Sequence, residues 1–281
     1  MAEPFDKRAT QAVWGASPAG TTYAGGHEPG TKEFFEAVLQ KRRGYELPWL
    51  TDVVPFASFR DRAVLEVGCG AGYDAYEIMR NGGCYTGIDI TPENPERTRA
   101  HLAFYGYTPT TLQADAEALP FGDSAFDVVF SNGVLHHTPD MPAAFREIAR
   151  VLRPGGDFWV IVYHRNSLFY RVTLGLFDHV IGGGWRRRTL RERLAMIEFT
   201  TSDALPLVNV HSRRELTAIL RDSGFEVQGT SVRKLVVEDL PAPGKLGWLW
   251  RRVPQQWLDV VGRRWGWYVI AHATRPAGAV G

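Results

Sequence analysis

Cysteine is nearly missing: Cys69 and Cys84 are the only two among 281 residues. No CxxC and no Cys/His ligand spacing occurs, so no metal site and no disulfide framework is expected. A dominant charge is missing as well. The 32 Lys+Arg against 31 Asp+Glu leave a net +1, too little for a global field that would draw the chain onto nucleic acid. No window approaches the roughly 20 apolar residues of a membrane span. The opening MAEPFDKRAT has no apolar signal-peptide core, so a reducing, cytoplasmic setting is expected. No internal repeat is evident.

What the chain does have is a rhythm. Residues up to about Gly30 form an irregular arm carrying Trp14, Tyr23 and His27, and Thr31 caps a helix to about Tyr45. From Ala63 short apolar runs alternate with helical patterns. "AVLEVG", "CYTGIDI", "TTLQAD", "FDVVFS" and "DFWVIVY" read as strands. "YDAYEIMRNGG" reads as a helix, and another starts at Thr91-Pro92 or at Asn94-Pro95. This βαβα order predicts an α/β fold, a doubly wound parallel sheet whose strand C-termini share one ligand-binding rim. After Tyr163 the rhythm lapses. Residues 165–210 read as a helical cap insertion on the substrate side. Ser212 and Glu215 restart a helix with a capping box. "FEVQGTSVRKLVV" and "GWYVIAHATR" are strands that bracket a Trp/Arg-rich insertion near 241–264. The chain thus divides into 1–62 (arm and helix, a lid), 63–164 (core), 165–210 (cap) and 211–281 (end of the core).

Gly68, Gly70 and Gly72 follow the first strand as G-x-G-x-G. A dinucleotide fingerprint needs G-x-G-x-x-G, but Tyr73 stands at its last glycine; a P-loop's Gly-Lys-Ser/Thr is absent. The loop therefore suits a nucleoside without a pyrophosphate. Asp89 and Asp115 end the second and third strands, where carboxylates can accept from ribose hydroxyls or a purine amine. Glu66 lies inside the first strand, and a buried carboxylate there needs a partner such as a ligand ammonium.

"VLEVGCGAG", "GIDI", "ADAEALPFGDSAFDVVFSNGVLHH" and "REIARVLRPGG" resemble, in order and spacing, the motifs of class I S-adenosylmethionine (SAM) dependent methyltransferases. The likeness is to the small-molecule branch that includes ubiquinone and menaquinone biosynthesis enzymes. The resemblance implies a seven-stranded Rossmann-like sheet with its last strand antiparallel and inserted beside its neighbour. It implies SAM as cofactor, with Gly68, Cys69, Gly70 and Gly72 against the methionine part and Glu66 at its amino group. Asp89 and Ile90 would meet the ribose and adenine, Asp115 and Ala116 the adenine edge, and Asn132 and Gly133 the floor. His137 would shelve the cofactor, while Trp14 and Tyr23 belong to the lid. His164, His136 and His27 are the candidate general bases for an acceptor that must lose a proton.

The expected reaction is methyl transfer to oxygen or nitrogen of a small molecule, in biosynthesis of a natural product or glycan precursor. Carbon methylation of a quinone or isoprenoid-type substrate is the alternative. RNA or protein methylation, or an inactive SAM-binding partner, stands further off; no Asn/Asp-Pro-Pro-Tyr/Phe signature occurs and "SNGV" stands in its place. Phe169, Tyr170, Leu174, Leu176 and Phe177 could line an acceptor pocket or form cap core. The run from Arg186 to Arg193 could hold an anion or be a solvated face. Trp248, Trp250, Trp257, Trp265 and Trp267 could serve a pocket, a dimer contact or, less readily, a membrane surface. Monomer and homodimer both remain open.

Overall fold

The computed structural model describes residues 7–16, 20–198, 206–241, 250 and 252–278. Helix α1 (Lys7–Ala16) is followed by α2 (Lys32–Lys41), whose cap Thr31 accepts from the Phe34 N–H. The alternating core then runs β1 (Ala63–Val67), α3 (Tyr73–Arg80), β2 (Cys84–Asp89), α4 (Asn94–Ala103), β3 (Thr110–Gln113), β4 (Phe126–Asn132), α5 (Met141–Val151) and β5 (Leu152–Tyr163). A π-type helix (Phe169–Ile181) and α6 (Leu190–Ala195) occupy the insertion. The chain closes with α7 (Arg213–Asp222), β6 (Glu226–Arg233), α8 (Gln255–Trp265) and β7 (Tyr268–Thr274).

The seven strands order as β3-β2-β1-β4-β5-β7-β6, parallel except for β7, which is antiparallel to both neighbours. The expected sheet is therefore present, with the terminal strand slotted inside its edge. Strand order reverses between β1 and β4, so a crevice opens there at the C-terminal rim. Each face is buried. Phe145, Ile148 and Val151 of α5 and Leu216 and Leu220 of α7 cover one; Ala75 and Ile78 of α3, Leu102 of α4 and the segment Leu47–Phe59 cover the other. Such side chains contribute about 1.5–3 kcal/mol each when fully buried.

Local differences from the sequence expectations have local causes. Helix α4 takes the later of its two starts, with Asn94 as its first residue and Glu93 as a cap without a side-chain bond. Thr91 is instead buried, its N–H donated to Asp89. The helix after Thr31 widens into a π-type turn over Arg42–Glu46. Ser212 and Glu215 do form the capping box. In the insertion, Leu174 is core, Phe169 and Tyr170 pack against that core, and Leu176 is exposed. Trp267 is buried beneath Tyr163 (ring centroids 4.4 Å), whereas Trp257 and Trp265 are exposed. Trp250 donates to the Pro241 carbonyl; Trp248 lies outside the described residues.

Candidate active site

The crevice between β1 and β4 is a cavity floored by the turn after β1. Gly68, Gly70 and Gly72 all have positive φ (87°, 53° and 80°), but their demands differ. A Cβ on Gly68 would overlap the Val134 side chain, and one on Gly72 would press on Thr98. Around Gly70 and Gly133 (φ 75°) nothing lies within 4 Å of the position a Cβ would take. Both line the cavity, so their missing side chains leave room for a ligand.

Carboxylates surround that bare backbone. Asp89 accepts from the N–H groups of Gly70 and Thr91, at 2.9 Å each, and so ties the turn to the end of β2. Glu66 is 2% exposed and accepts from the Tyr85 hydroxyl at 2.6 Å. Gly87 makes this bond possible, because a Cβ there would occupy the hydroxyl's place. Burial and the nearby Asp74 charge push the Glu66 carboxyl well above its ordinary value. Burial raises Asp74 too, against Arg42 and the Asn132 amide, which donates to it at 2.9 Å. Burial likewise raises Asp89, against its backbone donors. Arg42 meets Asp74 at 3.4 Å and Glu46 at 3.7 Å.

Helix α1 lies along the cavity. Lys7 pairs with Asp115 at 2.6 Å and Glu117 at 2.5 Å. Gln11 donates to the Ile90 carbonyl at 2.9 Å. The Trp14 ring stands edge-on to His137 (centroids 5.3 Å), and Arg97 donates to the Gly15 carbonyl at 2.7 Å.

The cavity brings together Trp14, Glu66, Gly68, Cys69, Gly70, Asp89, Ile90, Asp115, Ala116, Asn132, Gly133 and His137. Other expected residues lie elsewhere. Gly72 is spent on packing α3 against Thr98 and His101. Tyr23 packs beside Phe34 and Phe35, where burial and Glu46 raise its hydroxyl to about 12. His27 sits exposed in the arm. His136 is fully buried against Tyr163 and His137 (centroids 4.0 and 4.1 Å), with both ring nitrogens unpartnered among the described residues. His164 turns its Nδ1 to the Gly266 carbonyl at 3.1 Å and lines a different cavity. These three histidines are thus displaced from the cradle by exposure, burial and the course of β5.

Lys7, Arg42, Asp74 and Tyr85 were not singled out by sequence. Asp74 had a signal, lying two residues past Gly72 in the first turn of α3. Lys7 and Arg42 reach the cavity only through the path of the N-terminal segment. His137 donates Nδ1–H to the Leu207 carbonyl at 2.6 Å, which leaves Nε2 as an acceptor without a partner among the described residues. Burial lowers this imidazole to about 4.

Residues 65–160 match the family model described as a methyltransferase domain, and the sheet order is that of the class I SAM-dependent methyltransferase fold. Within that class the chain resembles the ubiquinone-type small-molecule methyltransferases. It is 29% identical over 141 residues to a ubiquinone biosynthesis O-methyltransferase of Paracidovorax citrulli, covering 48% of this chain and 57% of that one. An uncharacterized protein of Mycobacterium tuberculosis is 38% identical over 109 residues, 39% of this chain and 40% of that one. A probable phthiotriol/phenolphthiotriol dimycocerosates methyltransferase of Mycobacterium ulcerans is 40% identical over 106 residues, 36% and 40% of the two chains. The chain thus spans about half the length of the curated relatives it matches. Among solved structures, a SAM-dependent methyltransferase from Mesorhizobium loti superposes with TM-score 0.55 at 20% identity, over 82% of this chain and 97% of that one. The [4+2]-cyclase SpnF shares the fold equally well, at TM-score 0.54 and 19% identity over 97% and 93%. Fold alone therefore does not name the reaction.

Proposed function

We propose that the protein transfers the SAM methyl group to a hydroxyl, or to an amine, of a lipophilic small molecule. One observation carries the cofactor half of this reading: a side-chain-free cradle at Gly70 and Gly133 ringed by Glu66, Asp74, Asp89 and Asp115. Four carboxyl groups against Lys7 and Arg42 favour a cationic ligand, and SAM carries both an ammonium and a sulfonium. The resident residues fit it. Glu66 and Asp74 would hold the ammonium, the backbone at Gly68 and Gly70 the methionine chain. Asp89 has lone pairs left for ribose hydroxyls, and Asp115 and Ala116 border the adenine edge. SAM, when bound, supplies an already activated methyl group.

The protein's remaining work is to orient the acceptor and exclude water, which can lower a barrier by about 7–11 kcal/mol in the best cases. Helix α1 performs the exclusion. His137 lines the cavity wall; its Nε2 is buried and without a partner among the described residues, and once uncovered it would take a hydrogen bond from an incoming O–H or N–H. Because its imidazole is so weakly basic, it suits an acceptor that ionises readily, such as a phenol, or a neutral amine. The name of one relative, a ubiquinone biosynthesis O-methyltransferase, supports oxygen as the methylated atom.

Calorimetry with SAM, followed by S-adenosylhomocysteine formation over a panel of phenols, hydroxylated lipids and amines, tests the reading. Saturable SAM binding with turnover on a phenolic acceptor is expected. Absence of SAM binding overturns it. Binding without turnover on any acceptor would favour a non-transferring reaction on the same fold.

A further inference from the structure

A second cavity opens where β5 ends and α7 begins. Its wall includes His164, Asn166, Ser167, Arg171, Arg213, Arg214, Arg264 and Trp265, and among the described residues it contains no carboxylate. We propose that it binds a phosphate group, as a free phosphate compound or as a lipid headgroup.

The charge arrangement is the first reason. Arg213 and Arg214 are the first two residues of α7, a ten-residue helix. Helix N-termini favour anions, so two cations there are placed against the helix dipole. They become favourable if an anion sits between guanidinium groups and the helix end. Neither has a side-chain partner among the described residues. Arg264 comes from the last turn of α8 and rests on the Trp265 ring, its guanidinium carbon 5.3 Å from the ring centroid. Arg171 spends one nitrogen on Asn166 (2.8 Å) and its Nε on the Arg165 carbonyl (3.4 Å), which leaves one nitrogen over. Glu215, the acid in the first turn of α7, is already engaged by the Ser212 N–H and by Arg165.

The second reason is His164. It is 2% exposed, lines this cavity, and donates Nδ1–H to Gly266. Its Nε2 has no partner among the described residues. Burial and the Arg213 and Arg171 charges hold its imidazole below the ordinary value. A buried imidazole among uncompensated arginines is a donor in waiting: a phosphate oxygen would reverse the local field and let Nε2 take up a proton and bond to it. The cavity is one residue beyond Tyr163, whose ring contacts His137 at the cofactor crevice (centroids 6.3 Å). The two cavities have no lining residue in common among the described residues, and the proposal stands whether or not methyl transfer is the reaction.

The full chain is titrated calorimetrically with pyrophosphate and with inorganic phosphate, and floated with phosphatidylcholine vesicles with and without phosphatidic acid. Wild type should bind at least one of these probes saturably. The double variant R213E/R264E should lose at least about tenfold in affinity, while the charge-matched control R187E, on an exposed turn of the insertion, stays within about twofold. The His164 imidazole ¹⁵N resonances should shift on saturation with pyrophosphate. Soluble anions binding without vesicles would identify a free phosphate compound; phosphatidic-acid vesicles alone would identify a headgroup. No saturable binding in either arm, or equal losses in the double variant and R187E, would overturn the site.

Discussion

Single residues in the cradle carry two loads, structural and ligand-directed. Asp89 holds the glycine turn through two N–H bonds while facing the cavity. Asp89→Ala should therefore weaken SAM binding by about 10- to 100-fold, whereas His164→Ala, in the other cavity, should leave it within about twofold; calorimetry of both variants decides. Equal losses would contradict the assignment of Asp89. His101 carries a purely structural load. Its ring is stacked on Phe35 (4.3 Å), Nδ1–H is donated to the Ala71 carbonyl at 2.8 Å, and burial lowers it to about 4. Its ordinary value is 6.5, so between pH 6.5 and 4 the unfolded chain binds a proton that the folded one refuses. Stability should thus fall as pH drops through that window. The raised carboxyl of Glu66 acts in the opposite sense, so the comparison must be between variants. From pH 7 to 5, wild type should lose about 2 kcal/mol more than His101→Phe in urea unfolding.

At the scale of elements, the turn from β1 to α3 holds glycines for unlike reasons, which substitutions should separate. Gly68→Ala drives a methyl into Val134 at positive φ and should cost about 2–5 kcal/mol of stability. Gly70→Ala meets open space, so its cost should be only about 1–2 kcal/mol, yet SAM affinity should fall sharply because the methyl projects into the cavity. Thermal melts with and without SAM distinguish the two. How much of these elements could be read beforehand follows the same division. The strands announced themselves as apolar runs, and the turn by its glycine spacing, because both are local signals. Arg42 and Lys7 could not be read, since they reach the cavity through an irregular path no periodicity encodes. The histidines misled because a position after a strand names a rim, not the direction in which a ring points. His136 and His137 are adjacent, yet only the second lines the cavity.

For the whole molecule, α1 is joined to the core through a few polar ties and one aromatic contact rather than through a broad apolar face. Its only buried residues are Thr10 and Val13. That is the signature of an element that can release with little loss of global stability. Lys7→Ala combined with Trp14→Ala should speed S-adenosylhomocysteine dissociation by about tenfold or more in stopped flow, with the melting temperature shifting by only a few degrees. A large loss of stability with unchanged dissociation would instead make α1 part of the core.

Placing β7 inside the sheet also orders events during synthesis. Everything that brackets the glycine turn, from β1 to β5, exists once Tyr163 has left the ribosome, whereas β6 has no hydrogen-bonding neighbour other than β7. The nascent chain can thus assemble its nucleoside-binding half early, while β6 waits as an unpaired ribbon for β7. Translation that stops short of Tyr268 would leave two open strand edges, the kind of surface on which chaperones act and aggregates grow.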